Sequence, residues 1–208
     1  ANFYVSISNI SSTYGITNAD SHMMKNMEWG AVAYLSHSKY GINTEIGINN
    51  NTSYTTGCGA TAGSGPSAGC NTYNTVNGQL ASTTGNIYGI YDMSGGAEDY
   101  VMGNMVTTTK VPMVGSDITY TSGFAGKEYD GNTATGVTFP SNKYYNEYTY
   151  TALGKNHSVG KLGDATKETL VTYGNTSGGW YSDYAYVPSS GASWVARGAR
   201  YSSAAGAG

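Results

Sequence analysis

Residues 85–102, GNIYGIYDMSGGAEDYVM, constrain this chain most. An alternating aromatic and aliphatic run up to Tyr91 reads as a strand. Asp92, Ser94, Gly95 and Gly96 read as a tight turn, because Gly and Asp tolerate the backbone conformations that turns require. From Ala97 onward the residues are compatible with a helix. A stretch that changes direction over five residues fixes how the elements around it can meet.

Two further segments organise the rest. Asp20 to Leu35, DSHMMKNMEWGAVAYL, places Met24, Met27, Ala31 and Leu35 at helical spacing. Asp20 or Ser21 supplies an N-cap, the helix runs to about Ser38, and Gly41 supplies a stop. The methionines are read as core, since Met fills irregular gaps between helix and sheet. Trp194 to Tyr201, WVARGARY, reads as a strand near the chain's end. Residues 2–10 alternate as a short strand. Residues 42–84 are rich in Asn, Thr, Ser and Gly and read as an insertion with few candidates for burial. Residues 104–176 are similar, with short islands at 136–139 and 143–153. The expected core comprises Trp29, Ile87, Tyr88, Ile90, Met93, Val101, Trp194 and Val195.

These three segments together resemble the formylglycine-generating-enzyme family, a variant of the C-type lectin fold. Gly89 to Tyr100 is similar to its G-x-Y-D-M-S-G-N-x-W-E-W signature, the helix to its R-L-P-T-E-A-E-W-E-Y-A segment, and Trp194 to Tyr201 to its V-x-R-G-G-S-W strand. The resemblance implies a single α+β domain over residues 1–208, loop-rich, with a small mixed sheet and about two helices. It also implies a further closing strand after Gly208 and an earlier strand pair before Ala1, supplied by more of the chain or by a neighbour. In the family's enzymes two cysteines follow the arginine motif and carry copper-dependent oxidation. Here Ser203 and Gly208 occupy those places, and neither binds soft copper nor acts as a redox nucleophile. The signature's Asn, first Trp, Glu and last Trp are Gly96, Glu98, Asp99 and Tyr100. The expectation is a non-enzyme on this scaffold.

Charged residues make up 11% of the chain, against about a quarter in ordinary globular proteins. Polarity comes instead from amides, hydroxyls and 20 tyrosines. No basic stripe supports nucleic acid as a partner, and no apolar run approaches the roughly 18 residues of a membrane span. Cys58 and Cys70 bracket GATAGSGPSAG, a loop with almost nothing apolar to order it. A disulfide there would stabilise the fold by about 3 kcal/mol and suits an extracellular protein. Free thiols are the alternative. Gly65 to Gly69 spells G-x-S-x-G, but it lies in a glycine loop rather than between strand and helix, so Ser67 is not read as a nucleophile.

Trp180 to Tyr201 concentrates Trp180, Tyr181, Tyr184, Tyr186, Arg200 and Tyr201, the residue types of recognition surfaces. Arg197 matches a position of internal pairing in the family, so Arg200 is the better contact candidate. Asp99 is the candidate calcium ligand, since members of this fold bind the ion with the equivalent acid. The expected function is recognition or display on a bacterial surface appendage, a pilus or a phage fibre. The expected ligand is a cell-surface glycan or protein, met within a larger multi-chain assembly. A structural subunit of a filament or virion is the alternative, and a copper-dependent oxidase the remaining one.

Overall fold

The computed structural model describes residues 6–106, 141–149 and 194–203. They form an α+β, loop-rich arrangement of short helices and small sheets. In chain order these are helix α1 (Ile10–Thr13), helix α2 (Asn26–Ser36), strands β1 (Cys58–Gly59) and β2 (Asn71–Thr72), a 3-10 turn (Gly78–Ala81), strand β3 (Asp99–Val106), a 3-10 turn (Asn142–Tyr144), and strands β4 (Asn146–Thr149) and β5 (Trp194–Arg197). β1 pairs antiparallel with β2. The second sheet runs β4-β3-β5, with β3 and β4 parallel in the register Gly103 to Asn146. Among the described residues no helix is long and apolar enough to cross a membrane. The chain divides into two compact units.

The first unit holds residues 1–26, 101–158 and 188–195. Its central strand β3 buries Val101, Met102, Gly103 and Asn104 in succession, as a strand covered on both faces does. The helix expected from Ala97 is therefore a strand. Tertiary pairing overrides the weak helical preference of the segment. The same pairing corrects the start of the long helix. Met102 N donates to Met24 O at 2.8 Å and Lys25 bridges Met102 in parallel, so the chain before Asn26 is extended. Neither expected cap serves as one. Asp20 accepts from Tyr144 Oη at 2.7 Å and Lys143 Nζ at 3.0 Å, while Ser21 Oγ donates to Ile7 O. Those donors hold the Asp20 carboxyl below its ordinary value, the tyrosine hydroxyl first. Residues 6–13 are largely helical, which corrects the strand read over 2–10 from residue 6 onward; residues 2–5 lie outside the described residues. Thr13 Oγ1 and Ser12 Oγ both donate to Asn9 O, a local alternative that favours a turn of helix over an extended chain.

The second unit holds residues 27–100, 159–187 and 196–208. Its helix face is not the expected one. Along the part of α2 in this unit the buried positions are Trp29, Gly30, Ala33 and Ser36, whereas Met27, Ala31 and Leu35 are exposed. Met24, just before the helix, is exposed too. Trp29 and the small residues Gly30 and Ala33 let the helix pack closely, and the long aliphatics point outward. The helix ends at Ser36, where Ser38 N returns to Leu35 O and Asn43 N to Ser36 O.

Residues 42–84, read as an insertion, instead supply much of this unit's interior. Ile46, Ile48, Cys58 and Ala81 are buried, and so are Asn49, Asn50, Asn51, Ser82 and Thr83. Of the expected core, Trp29, Met93, Val101 and Val195 are buried as read. Ile87, Tyr88 and Ile90 are not: Tyr88 is 88% exposed, and residues 85–91 form turns rather than a strand. Asn86 Oδ1 accepts from Tyr88 N, and Ile90 N donates to Thr83 Oγ1. Side-chain capping thus replaces the ladder that a strand would have needed.

Candidate recognition site

Asn49, Asn50 and Asn51 are consecutive and buried, and each uses its side-chain amide to hold another loop. Asn49 Nδ2 donates to Asp92 Oδ1 at 2.6 Å and to Thr55 O at 2.9 Å. Asn50 Nδ2 donates to Gly65 O at 2.6 Å. Asn51 Nδ2 donates to Gly69 O at 3.1 Å, beside Cys70. The disulfide between Cys58 and Cys70 is formed, with the Cα atoms 5.1 Å apart. The loop at residues 65–70 is therefore tied both covalently and by amides. Ser67 pairs with Asn51 as an isolated parallel bridge, in keeping with a loop and not a nucleophile elbow.

Asn51 also shapes the segment that follows it. Its Oδ1 accepts from Ser53 N at 3.0 Å and Thr55 N at 3.1 Å, while its carbonyl accepts from Tyr54 N. These bonds fold residues 51–55 tightly around one buried side chain. At the tip, Tyr54 takes the left-handed conformation, φ 55°, and is 54% exposed. That conformation costs an aromatic residue about 1–2 kcal/mol. Such strain persists where the surroundings over-determine it, and it clusters at functional sites. Gly57, φ 71°, completes the loop. Its N–H reaches both oxygens of Asp92, and it is the left-handed backbone rather than crowding that calls for glycine there.

The signature turn brings a second loop to the same place. Asn49 N donates to Ser94 O at 2.8 Å and Gly96 N returns to Asn49 O at 2.7 Å. Gly95 N donates to Gly198 O at 2.7 Å and Tyr201 N to Gly96 O at 2.9 Å. Ser94 to Gly96 thus forms a main-chain bracket gripping the 49–55 loop on one side and the 198–201 loop on the other. Gly95 has φ 77°, and a Cβ there would overlap the Asn49 carbonyl. Beneath the bracket Ile48 and Ala199 pack together, with Ala60 against them.

The result is a tyrosine ledge, exposed at Tyr54 and Tyr73 and half-buried at Tyr91 and Tyr201. The Tyr54 and Tyr201 rings meet edge-to-face, centroids 5.1 Å apart at 85°. Tyr73 and Tyr91 form a second such pair at 6.4 Å, and Tyr91 Oη donates to Tyr73 O. Thr52, Ser53, Thr55 and Thr56 surround Tyr54 and are all exposed. Arg200, next to Tyr201, is exposed, and its N–H donates to Ser203 Oγ while its carbonyl accepts from Ser203 N. Ser203, at a thiol position of the resembled enzymes, therefore closes a turn here.

Of the residues singled out in the sequence, Tyr201 and Arg200 belong to this ledge. Trp180, Tyr181, Tyr184 and Tyr186 lie outside the described residues. Tyr54, Tyr73 and Tyr91 were not singled out. The signal that could have found Tyr54 is the run of amides before it, since Asn-Asn-Thr-Ser favours turns that cap their own backbone. Arg197 is internal, as its motif suggests: it is 1% exposed, with its guanidinium carbon 5.0 Å from the centre of the Trp29 ring.

Asp99 lies partly buried beside Trp29, whose Nε1 donates to its Oδ2 at 3.4 Å. Burial pushes its carboxyl up to about 6, the indole N–H opposes this, and the nearby Asp92 charge adds to it. Among the described residues no group of three or more His, Cys, Asp or Glu could hold a metal. An N–H aimed at the carboxylate does not fit the roughly six to eight oxygens that calcium takes. Comparison with known proteins finds no matching family model, no similar curated protein and no similar solved structure.

Proposed function

We propose that this chain is a non-catalytic recognition domain of an extracellular assembly, carried on a bacterial surface appendage or a phage particle. Its contact surface is the tyrosine ledge. One observation carries this reading: Tyr54 is displayed at a left-handed tip, clamped by the buried Asn51, with its ring set against Tyr201. A folding requirement alone would place glycine at such a position. Rigid tyrosines give large contact area at small entropic cost, and hydroxyl-bearing neighbours supply adaptable hydrogen bonds. The disulfide supports an oxidising, extracellular setting.

The test is binding of the whole chain to a glycan array and to intact bacterial cells. Tyr54→Gly and Tyr201→Ala should retain the fold by circular dichroism and lose binding. If both bind like the parent, the ledge is not the contact surface. A second reading is favoured by the exposed Ile87, Tyr88 and Ile90, which would suit contact between copies in a filament. Light scattering that shows a concentration-dependent polymer, abolished by Tyr88→Asp, would select it.

A further inference from the structure

We infer that the ligand of the ledge is a saccharide bearing an acidic group, with Arg200 as the residue that selects the acid. This rests on the reading that the ledge is the contact surface. The inference starts from the charge balance around the two loops. Arg200 is exposed and makes no ion pair among the described residues. Two carboxylates of the signature segment, Asp92 and Asp99, are turned to other tasks. Asp92 accepts from Asn49 and from Gly57, and Asp99 accepts from Trp29. Among the described residues, a cation thus stands beside the aromatic pair with no carboxylate paired to it.

Its backbone is fixed. Gly198 and Ala199 both hold left-handed conformations, φ 74° and 50°, immediately before it. Ser203 closes the turn after it through reciprocal bonds of 3.2 and 2.8 Å. Ala199 is anchored by burial against Ile48. The chain therefore accepts strain at Ala199 and delivers Arg200 and Tyr201 together at the surface. A guanidinium presents a planar fork that matches an acidic group in two parallel hydrogen bonds, which a flexible ammonium does not reproduce.

The remaining surface favours a sugar over a protein segment as the body of the ligand. Around Tyr54 the exposed neighbours are threonines and a serine. Serine and threonine are under-represented among the residues that carry most of the energy of a protein contact. A sugar ring offers C–H bonds to an aromatic face and hydroxyls to hydroxyls. Ring, hydroxyls and an exposed guanidinium that makes no ion pair among the described residues together describe an acidic saccharide.

The experiment uses the whole chain on an array of matched pairs that differ only in charge: oligogalacturonate and its methyl ester, sialyllactose and lactose, sulfated and unsulfated lactose. The acidic member should bind about tenfold tighter or more, the equivalent of 1.4 kcal/mol. Arg200→Gln should erase that preference, bringing the acidic member to the affinity of its neutral partner, while Arg200→Lys restores only part of it. The pair that shows the preference identifies the acid as carboxylate or sulfate. Equal binding of neutral and acidic members overturns this inference and leaves the ledge as a sugar site. A preference that survives Arg200→Gln overturns it as well. Binding to neither member, with cells still bound through Tyr54, removes the saccharide and points to a protein ligand.

Discussion

The indole N–H of Trp29 points at a carboxylate oxygen of Asp99, 3.4 Å away, while the other side of the indole economy is electrostatic: the Arg197 guanidinium lies 5.0 Å from the ring centre. A single buried tryptophan thus serves an acid and a base. The acid bears a cost. Burial holds the Asp99 carboxyl at about 6, above its ordinary 3.8, so the folded state binds the proton more tightly than the unfolded state does. Asp99 therefore favours folding most below pH 3.8, and that contribution is lost as pH rises through about 6. The change is at most about 3 kcal/mol by linkage. Asp99→Asn keeps an acceptor for Trp29 and removes the charge. It should be the more stable protein at pH 8, and denaturant titrations at pH 4 and pH 8 should show a smaller difference than in the parent. An unchanged difference would sink this account.

The Cys58–Cys70 bond closes a loop whose ends are 12 residues apart. Opening it by Cys58→Ser with Cys70→Ser should cost about 3 kcal/mol in the chain-entropy account. Thermal melting with and without reductant measures this. Native material titrating with two free thiols would contradict the structure outright.

Gly95 and Gly15 both have positive φ but differ in surroundings. Nothing stands near a Cβ at Gly15, whereas one at Gly95 meets the Asn49 backbone. Gly15→Ala should cost about 1 kcal/mol, the backbone penalty alone. Gly95→Ala should cost more than about 4 kcal/mol or prevent folding, as overpacking against main chain does when added to that penalty. Equal stabilities would mean the bracket is not rigid.

Tyr54→Gly separates stability from recognition. Glycine relieves the left-handed strain, so the variant should be as stable as the parent or up to about 1 kcal/mol more stable. It should also lose ligand binding. A variant that is less stable and still binds would show that Tyr54 is a structural residue.

How much of this was legible in the sequence differs by segment. The turn at Ser94 to Gly96 could be read, because glycines at fixed offsets announce a special backbone. So could the disulfide and the burial of Trp29, Met93 and Arg197. The face of α2 could not. Apolar spacing at Met27, Ala31 and Leu35 suggested the inner side, but close packing selected Gly30 and Ala33 and left the longer chains outside. The interior made by residues 46–51 and 81–83 escaped for a different reason. It is held largely by amide and hydroxyl hydrogen bonds, and these carry no hydrophobic period. Conversely Ile87, Tyr88 and Ile90 look like core by composition and are surface by geometry. Composition counts them as apolar, but the turns of residues 85–91 leave them in solvent.

The bracket at Ser94 to Gly96 has one more consequence. All four of its hydrogen bonds to the two loops run between main-chain atoms. None depends on what side chains Thr52, Ser53, Thr55, Thr56 or Arg200 carry. Those positions can therefore be rewritten without loosening the loops that present them. The fold separates the grammar of this surface from its words, so the side chains it displays can drift through substitution while the architecture that displays them stays the same.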